Sequence, residues 1–176
     1  MSIRRVVTGH DESGKSVFAS DVEIPGVELD LLAGWHFFDM WGADEVPVFP
    51  DAGEKPSAAT YFPKVEGYRF SFSMIPPEGT PAVEGLDEVS ARAEAALPGM
   101  MDHLESNGMH TTDTVDFEVI LKGRVYLQLD DGVEKLLVPG DTVVQNGTRH
   151  VWRNPGPEPV LMAVFMAGAH RADSKA

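Results

Sequence analysis

Regularly spaced turn signals in residues 108–154 limit what this chain can fold into more than any other feature. Residues 115–121 form an apolar, β-prone run that Lys122-Gly123 ends. Residues 125–129 alternate and stop at Asp130-Asp131-Gly132, a strong hairpin signal, because these residues tolerate the positive φ of a tight turn. Residues 135–138 return, and Pro139-Gly140-Asp141 turns the chain again. Residues 142–145, 150–153 and 160–167 complete the set, with Asn146-Gly147 and Pro155-Gly156-Pro157 between them. Short strands at intervals of about 8–12 residues predict an all-β sandwich or barrel.

Upstream, residues 3–8 and 16–19 read as a hairpin joined through Asp11 to Lys15, which would add to a sheet edge or to a partner subunit. Residues 34–41 are strongly aromatic, with Trp35, His36, Phe37, Phe38 and Trp41. Such a cluster serves as core, as a dimer seam or as the wall of a ligand pocket. Residues 47–56 form a loop by their Pro, Gly and Asp content. Residues 68–75 predict a strand with Tyr68, Phe70, Phe72 and Met74 on one face and Arg69, Ser71 and Ser73 on the other. Residues 87–104 are the one helical candidate, capped by Asp87 and broken or kinked at Pro98-Gly99. This helix would either lie across a barrel mouth, with Met100 and Met101 facing a ligand, or pack on the barrel's outside.

The 176 residues fit one domain, and 43% hydrophobic with 24% charged content is ordinary for a globular chain. A net charge of −14 disfavours nucleic acid and anionic membranes as partners. The chain has no cysteine, which excludes disulfides, thiolate ligands and a cysteine nucleophile and is compatible with a cytoplasmic location. No stretch reads as a signal peptide or a membrane span.

Strand alternation puts His110, Thr112, Thr114, Asp116 and Glu118 on one face if the strand is regular, whereas a bulge near Asp113 would change the register. Around these residues the sequence resembles the cupin signature. The first half of that signature matches at His110 and Gly123, with Thr112 where a second His is expected and Asp116 in place of Glu. The second half matches at Gly140, Gly147, His150 and Asn154, one residue short before the His. The whole chain is also similar to small single-domain cupins that open with an Arg-Arg-Val-Val-Thr-Gly-His-Asp segment, here residues 4–11.

The resemblance implies an all-β cupin barrel (a double-stranded β-helix or jelly roll) with N-terminal strand additions and one short helix. One domain spans 1–176, with a core barrel over about 66–168 and an N-terminal extension over 1–65. It implies a homodimer, and His110, Asp116 and His150 converging inside the barrel. Two imidazoles and a carboxylate with open positions are a ligand set for Fe, Mn, Zn or Ni. Without metal, His110, Asp116 and His150 can work as general acid and base, with Glu118 as a further carboxylate and Thr112 orienting the substrate. Trp152, Phe117, Tyr126, Met100, Met101, His103 and His36 are candidate pocket residues, each with a plain packing or surface role as the alternative. The expected function is a small-molecule lyase or isomerase, of decarboxylase or dehydratase type, acting on an apolar or aromatic acid or ketone. The rivals are an Fe(II)-dependent dioxygenase and a non-catalytic ligand-binding barrel.

Overall fold

The computed structural model describes residues 1–28, 34–81 and 94–172. Eleven strands carry the described chain: β1 (Ser2–His10), β2 (Ser16–Pro25), β3 (Val27–Glu28), β4 (His36–Ala43), β5 (Tyr68–Ile75), β6 (Thr114–Lys122), β7 (Val125–Gln128), β8 (Glu134–Leu137), β9 (Thr142–Asn146), β10 (Val151–Arg153) and β11 (Val160–Gly168). They form a six-stranded sheet ordered β3-β4-β5-β11-β6-β9, a three-stranded sheet ordered β10-β7-β8, and the separate hairpin β1-β2. All the pairings between these strands are antiparallel. The core fills the space between the two larger sheets: Ile75, Ile120, Val160, Met162, Val164 and Met166 from one meet Val125 and Trp152 from the other. This is the expected all-β jelly-roll architecture.

The β7–β8 turn forms where the sequence puts it. Asp131 and Gly132 both take positive φ (58° and 72°), as a tight hairpin requires. Gly123, the glycine shared by the motif, also needs its φ of +84°, and a Cβ there would stand 2.9–3.0 Å from atoms of Pro159 and Val160.

Two expectations change. The six-stranded sheet recruits β3 and β4, so the barrel begins well before residue 66. The hairpin β1-β2 is the part that stands apart, tied to β4 by the Arg5 guanidinium, which donates to the Met40 carbonyl at 2.9 Å and lies over the Trp41 ring. The helix expected over 87–104 falls partly outside the described residues. Its described part is helical only at 94–96, then turns at Gly99 (φ +73°) and continues as a short 3-10 turn, Met101–His103. Left-handed backbone at Gly99 ends an α-helix, as Pro98-Gly99 suggested. No helix among the described residues is long and apolar enough to cross a membrane.

β5 turns its polar face inward. Arg69, Ser71, Ser73 and Ile75 are buried, while Phe70 is exposed on the outside. Arg69 makes this possible: its guanidinium pairs with Asp44 at 2.5 Å and donates to the carbonyls of Ala43, Thr60 and Tyr68. A buried cation so fully bonded leaves no donor unpaired.

Candidate functional site

β6 supplies the site by simple alternation. Thr114, Asp116, Glu118 and Ile120 point inward and are buried, while Phe117 and Leu121 point out. From β11, Met162, Val164 and Met166 point the same way. Between the sheets lies a cavity of about 290 Å³. Its polar floor comes from His110, Asp116, Glu118, His150 and Ser73. Its walls include Trp35, Phe37, Tyr61, Phe62 and Trp152, and Met100, Met101 and Leu104 border it from the segment before His110. The aromatic wall is continuous. Trp35 stacks on Phe37 at 5.8 Å, Phe37 meets Tyr61 edge-on at 5.9 Å, and Tyr61 meets Phe62 edge-on at 4.9 Å.

His110 and His150 are joined through their backbones. His110 N–H donates to the His150 carbonyl at 2.9 Å and the reverse bond is 3.0 Å, which places the two rings 4.2 Å apart, centroid to centroid. His150 Nδ1 lies 2.9 Å from the Thr148 carbonyl oxygen. A carbonyl can only accept, so Nδ1 carries the proton and Nε2 keeps its lone pair. His110 Nδ1, Asp116 Oδ1 and Glu118 Oε2 are buried without a hydrogen-bond partner. Three unpartnered atoms on one cavity floor are what a bound molecule would satisfy.

Burial sets the charges of the floor. It pushes the Asp116 carboxyl up to about 6, opposed by a hydrogen bond from Thr114. It pushes Glu118 up to about 8, with the Asp116 charge adding to the effect. Burial, with His150 nearby, lowers His110 to about 4. Burial also lowers His150, against the bond to Thr148. At neutral pH the floor therefore holds one carboxylate, one carboxylic acid and two neutral imidazoles. Two carboxyls held apart in this way can divide the roles of base and acid. The Tyr61 phenol, pushed up to about 12 by burial, stays protonated.

Of the sequence-predicted residues, His110, Asp116, Glu118, His150, Trp152, Met100 and Met101 meet at this cavity. Five do not. Thr112 is 2% exposed but turns to Thr114, hydroxyl to hydroxyl at 2.8 Å, and is not part of the lining. Phe117 is 48% exposed and lies beside Phe165 on the outer face, because it alternates with Asp116 and Glu118. Tyr126 alternates with Val125 and Leu127, which pack the core, and so stands on the other side of its sheet. His103 is exposed against Phe62, with Nδ1 3.1 Å from the Thr111 carbonyl. His36 pairs with Met74 across β4 and β5 and leaves its Nδ1 buried without a partner.

The three-donor set expected of His110, Asp116 and His150 is not assembled. Among the described residues no three His, Asp or Glu side chains stand together as a metal-ligating group. The physical reason lies before β6. The strand starts at Thr114, and His110 belongs to an isolated bridge with His150 and Leu104, so alternation does not carry it onto the row of Asp116. The residues present thus fit a paired-carboxyl floor rather than an ion cage.

Tyr61 and Phe62 were not anticipated. They sit in a loop, where no periodicity marks a side chain as inward, and a Tyr-Phe pair between two loop segments was the one available signal. A backbone bond from Tyr61 N–H to the Pro98 carbonyl at 2.8 Å fastens this loop to the Met100 segment.

No protein-family model matches the chain. Among curated proteins it is 32% identical over 152 residues to the phomopsin biosynthesis cluster protein C' of Diaporthe leptostromiformis, covering 85% of this chain and 69% of that protein. It is 27% identical over 154 residues to the cupin-domain-containing oxidoreductase srdB of Neurospora crassa, covering 88% of this chain and 67% of that one. Among solved structures, the cupin_2 domain of an XRE family transcriptional regulator from Enterobacter cloacae aligns over 58% of this chain and 83% of its own, at 14% identity and a TM-score of 0.37.

Proposed function

For a chain that belongs to the cupin superfamily, we propose a small-molecule enzyme of lyase or isomerase type that works by acid–base chemistry inside its barrel. The observation that carries this reading is the pair Asp116 and Glu118, each 4% exposed, on one face of β6 with Oδ1 and Oε2 unpartnered at the cavity floor, where burial raises both carboxyls. Asp116, ionised first, takes a proton from the carbon beside a substrate carbonyl. Glu118, still protonated, gives its proton to the carbonyl oxygen as charge develops there. The product is an enol. Return of the proton to a different carbon isomerises the substrate. Alternatively, Glu118 protonates a departing β-hydroxyl, and water leaves. His150 Nε2, with its lone pair directed by the Thr148 bond, accepts a substrate hydroxyl. The aromatic wall excludes water and holds an apolar ring. A cytoplasmic location and pairing of two copies belong to the same reading. The exposed outer aromatics Phe70, Phe117 and Phe165 support the pairing.

The test is solvent deuterium uptake, followed by NMR, into a panel of aryl ketones and β-hydroxy ketones in D₂O. Exchange catalysed by wild type and lost in Asp116→Asn supports the reading. Binding without exchange would point to a non-catalytic barrel. Two relatives are named cupin-domain-containing oxidoreductases, which favours an oxidoreductase as the second reading, here the Fe(II)-dependent dioxygenase. Substrate-dependent oxygen uptake would mark it. Cupins commonly bind divalent metals, and one firmly held metal per chain would also favour that reading.

A further inference from the structure

We propose that the cavity selects an uncharged aromatic molecule carrying a hydroxyl group, and rejects aromatic carboxylates of the same size. This rests on the reading of the barrel interior as a substrate site and names the class of molecule that it takes. Three observations carry it. The first is the wall: Trp35, Phe37, Tyr61 and Phe62 form an unbroken aromatic surface along one side of a 290 Å³ cavity, which suits a flat ring.

The second is the balance of hydrogen-bonding groups on the floor. His150 Nε2 can only accept, since its Nδ1 proton is given to Thr148. Asp116 Oδ1 and Glu118 Oε2 are buried and unpartnered. Two carboxyls bring four oxygens and share at most two protons, and each neutral imidazole adds one lone pair. Acceptors therefore outnumber donors while either carboxyl is ionised. A ligand must bring a donor to satisfy them, and a hydroxyl does. A carboxylate brings acceptors alone.

The third is charge. Among the described residues no lysine or arginine lines the cavity. A ligand carboxylate would be buried beside Asp116 and Glu118 with no side-chain cation to offset it, which costs both desolvation and repulsion.

The experiment is isothermal titration calorimetry at pH 7 with three probes of one shape: 2-naphthalenemethanol, 2-naphthoate and 2-methylnaphthalene. In wild type the alcohol should bind about tenfold tighter than either of the others, the ratio given by one hydrogen bond to a charged group. In Asp116→Asn that advantage should shrink and the affinity for 2-naphthoate should rise. Equal or tighter binding of 2-naphthoate in wild type overturns the proposal. So does 2-methylnaphthalene matching the alcohol, or no binding by any probe. If Asp116→Asn fails to fold, the wild-type ranking still decides. Binding is read without turnover, so the two ideas fail separately. An alcohol preference with no deuterium exchange leaves the substrate class standing without the acid–base mechanism, and exchange with a naphthoate preference does the reverse.

Discussion

The rings of His110 and His150 lie 4.2 Å apart because their backbones exchange two hydrogen bonds. Two imidazoles this close and this buried cannot both hold protons cheaply. An unfolded imidazole titrates near pH 6.5, whereas His110 in the fold stays neutral down to about 4. Between those values the unfolded chain binds more protons, so stability is present above pH 6.5 and is lost as pH falls towards 4. His110→Asn should remove its share of that loss. Urea midpoints measured from pH 7 to pH 4 should fall less steeply in the variant. Parallel slopes would show that His110 is not buried as described.

The carboxyls run the other way in pH. Asp116 and Glu118 are raised by burial to about 6 and about 8, so the unfolded chain loses their protons first, and stability falls as pH rises from about 4 to 8. Glu118→Gln should therefore be more stable than wild type at pH 8.5, with the gain vanishing by pH 4. A gain of equal size at both pH values would show that the carboxyl does not titrate in the fold.

The same pair shapes activity. The base must be ionised and the acid protonated, which gives a bell-shaped kcat/KM with limbs near pH 6 and pH 8. Asp116→Asn should lower kcat by about 10²–10⁴-fold. Glu118→Gln should lose the alkaline limb while keeping the acid one. A profile with both limbs unchanged in Glu118→Gln would assign the acid elsewhere.

The strands of the second half were readable because turns and alternation are local. Residues 68–75 were placed to the residue, and 115–121 within one residue at each end. Which face turns inward was not readable for β5, since its polar side is buried by Arg69 finding Asp44 and the carbonyls of Ala43 and Thr60 outside the strand, besides that of its neighbour Tyr68. The floor residues His110, Asp116 and His150 were legible from motif spacing, and Glu118 from strand alternation. Their arrangement was not, because it turns on where β6 begins. Residues 111–113 precede the strand, Thr112 bonds to Thr114 rather than lining the cavity, and His110 is held by its bridge to His150 instead of by β6. Tyr61 and Phe62 reach the site through tertiary contacts that no sequence period encodes.

Phe117 and Ile120 test the alternation of β6 directly. Ile120 is 1% exposed and packs between the sheets, whereas Phe117 points outward. Ile120→Ala should cost about 2–5 kcal/mol in urea unfolding, the usual range for emptying a core site. Phe117→Ser should change monomer stability by under about 0.5 kcal/mol. Light scattering on the same variant reports on pairing, which the serine should weaken if copies meet through this face. A large stability loss for Phe117→Ser and a small one for Ile120→Ala would reverse the strand's faces.

Metal is the remaining point on which the site's geometry and the family's habits diverge. The sequence motif makes Thr112→His look like a restored ligand. In the fold Thr112 bonds to Thr114 and is not part of the cavity lining, so an imidazole there should not complete a site. Wild type, His150→Ala and Thr112→His should be dialysed against Zn²⁺, Mn²⁺ and Fe²⁺ separately, freed of loose ions by mild chelation, and analysed for bound metal. Far less than one ion per chain is expected in all three, with deuterium exchange by wild type unaffected by the chelator. Loss of a single donor from a true site should nearly abolish occupancy, since each imidazole supplies a lone pair that water replaces poorly. One ion per wild-type chain, lost in His150→Ala, would therefore show that the floor closes around a cation. His150 Nε2 and the unpartnered atoms of His110, Asp116 and Glu118 would then be its donors, and the oxidoreductase reading would replace the acid–base one.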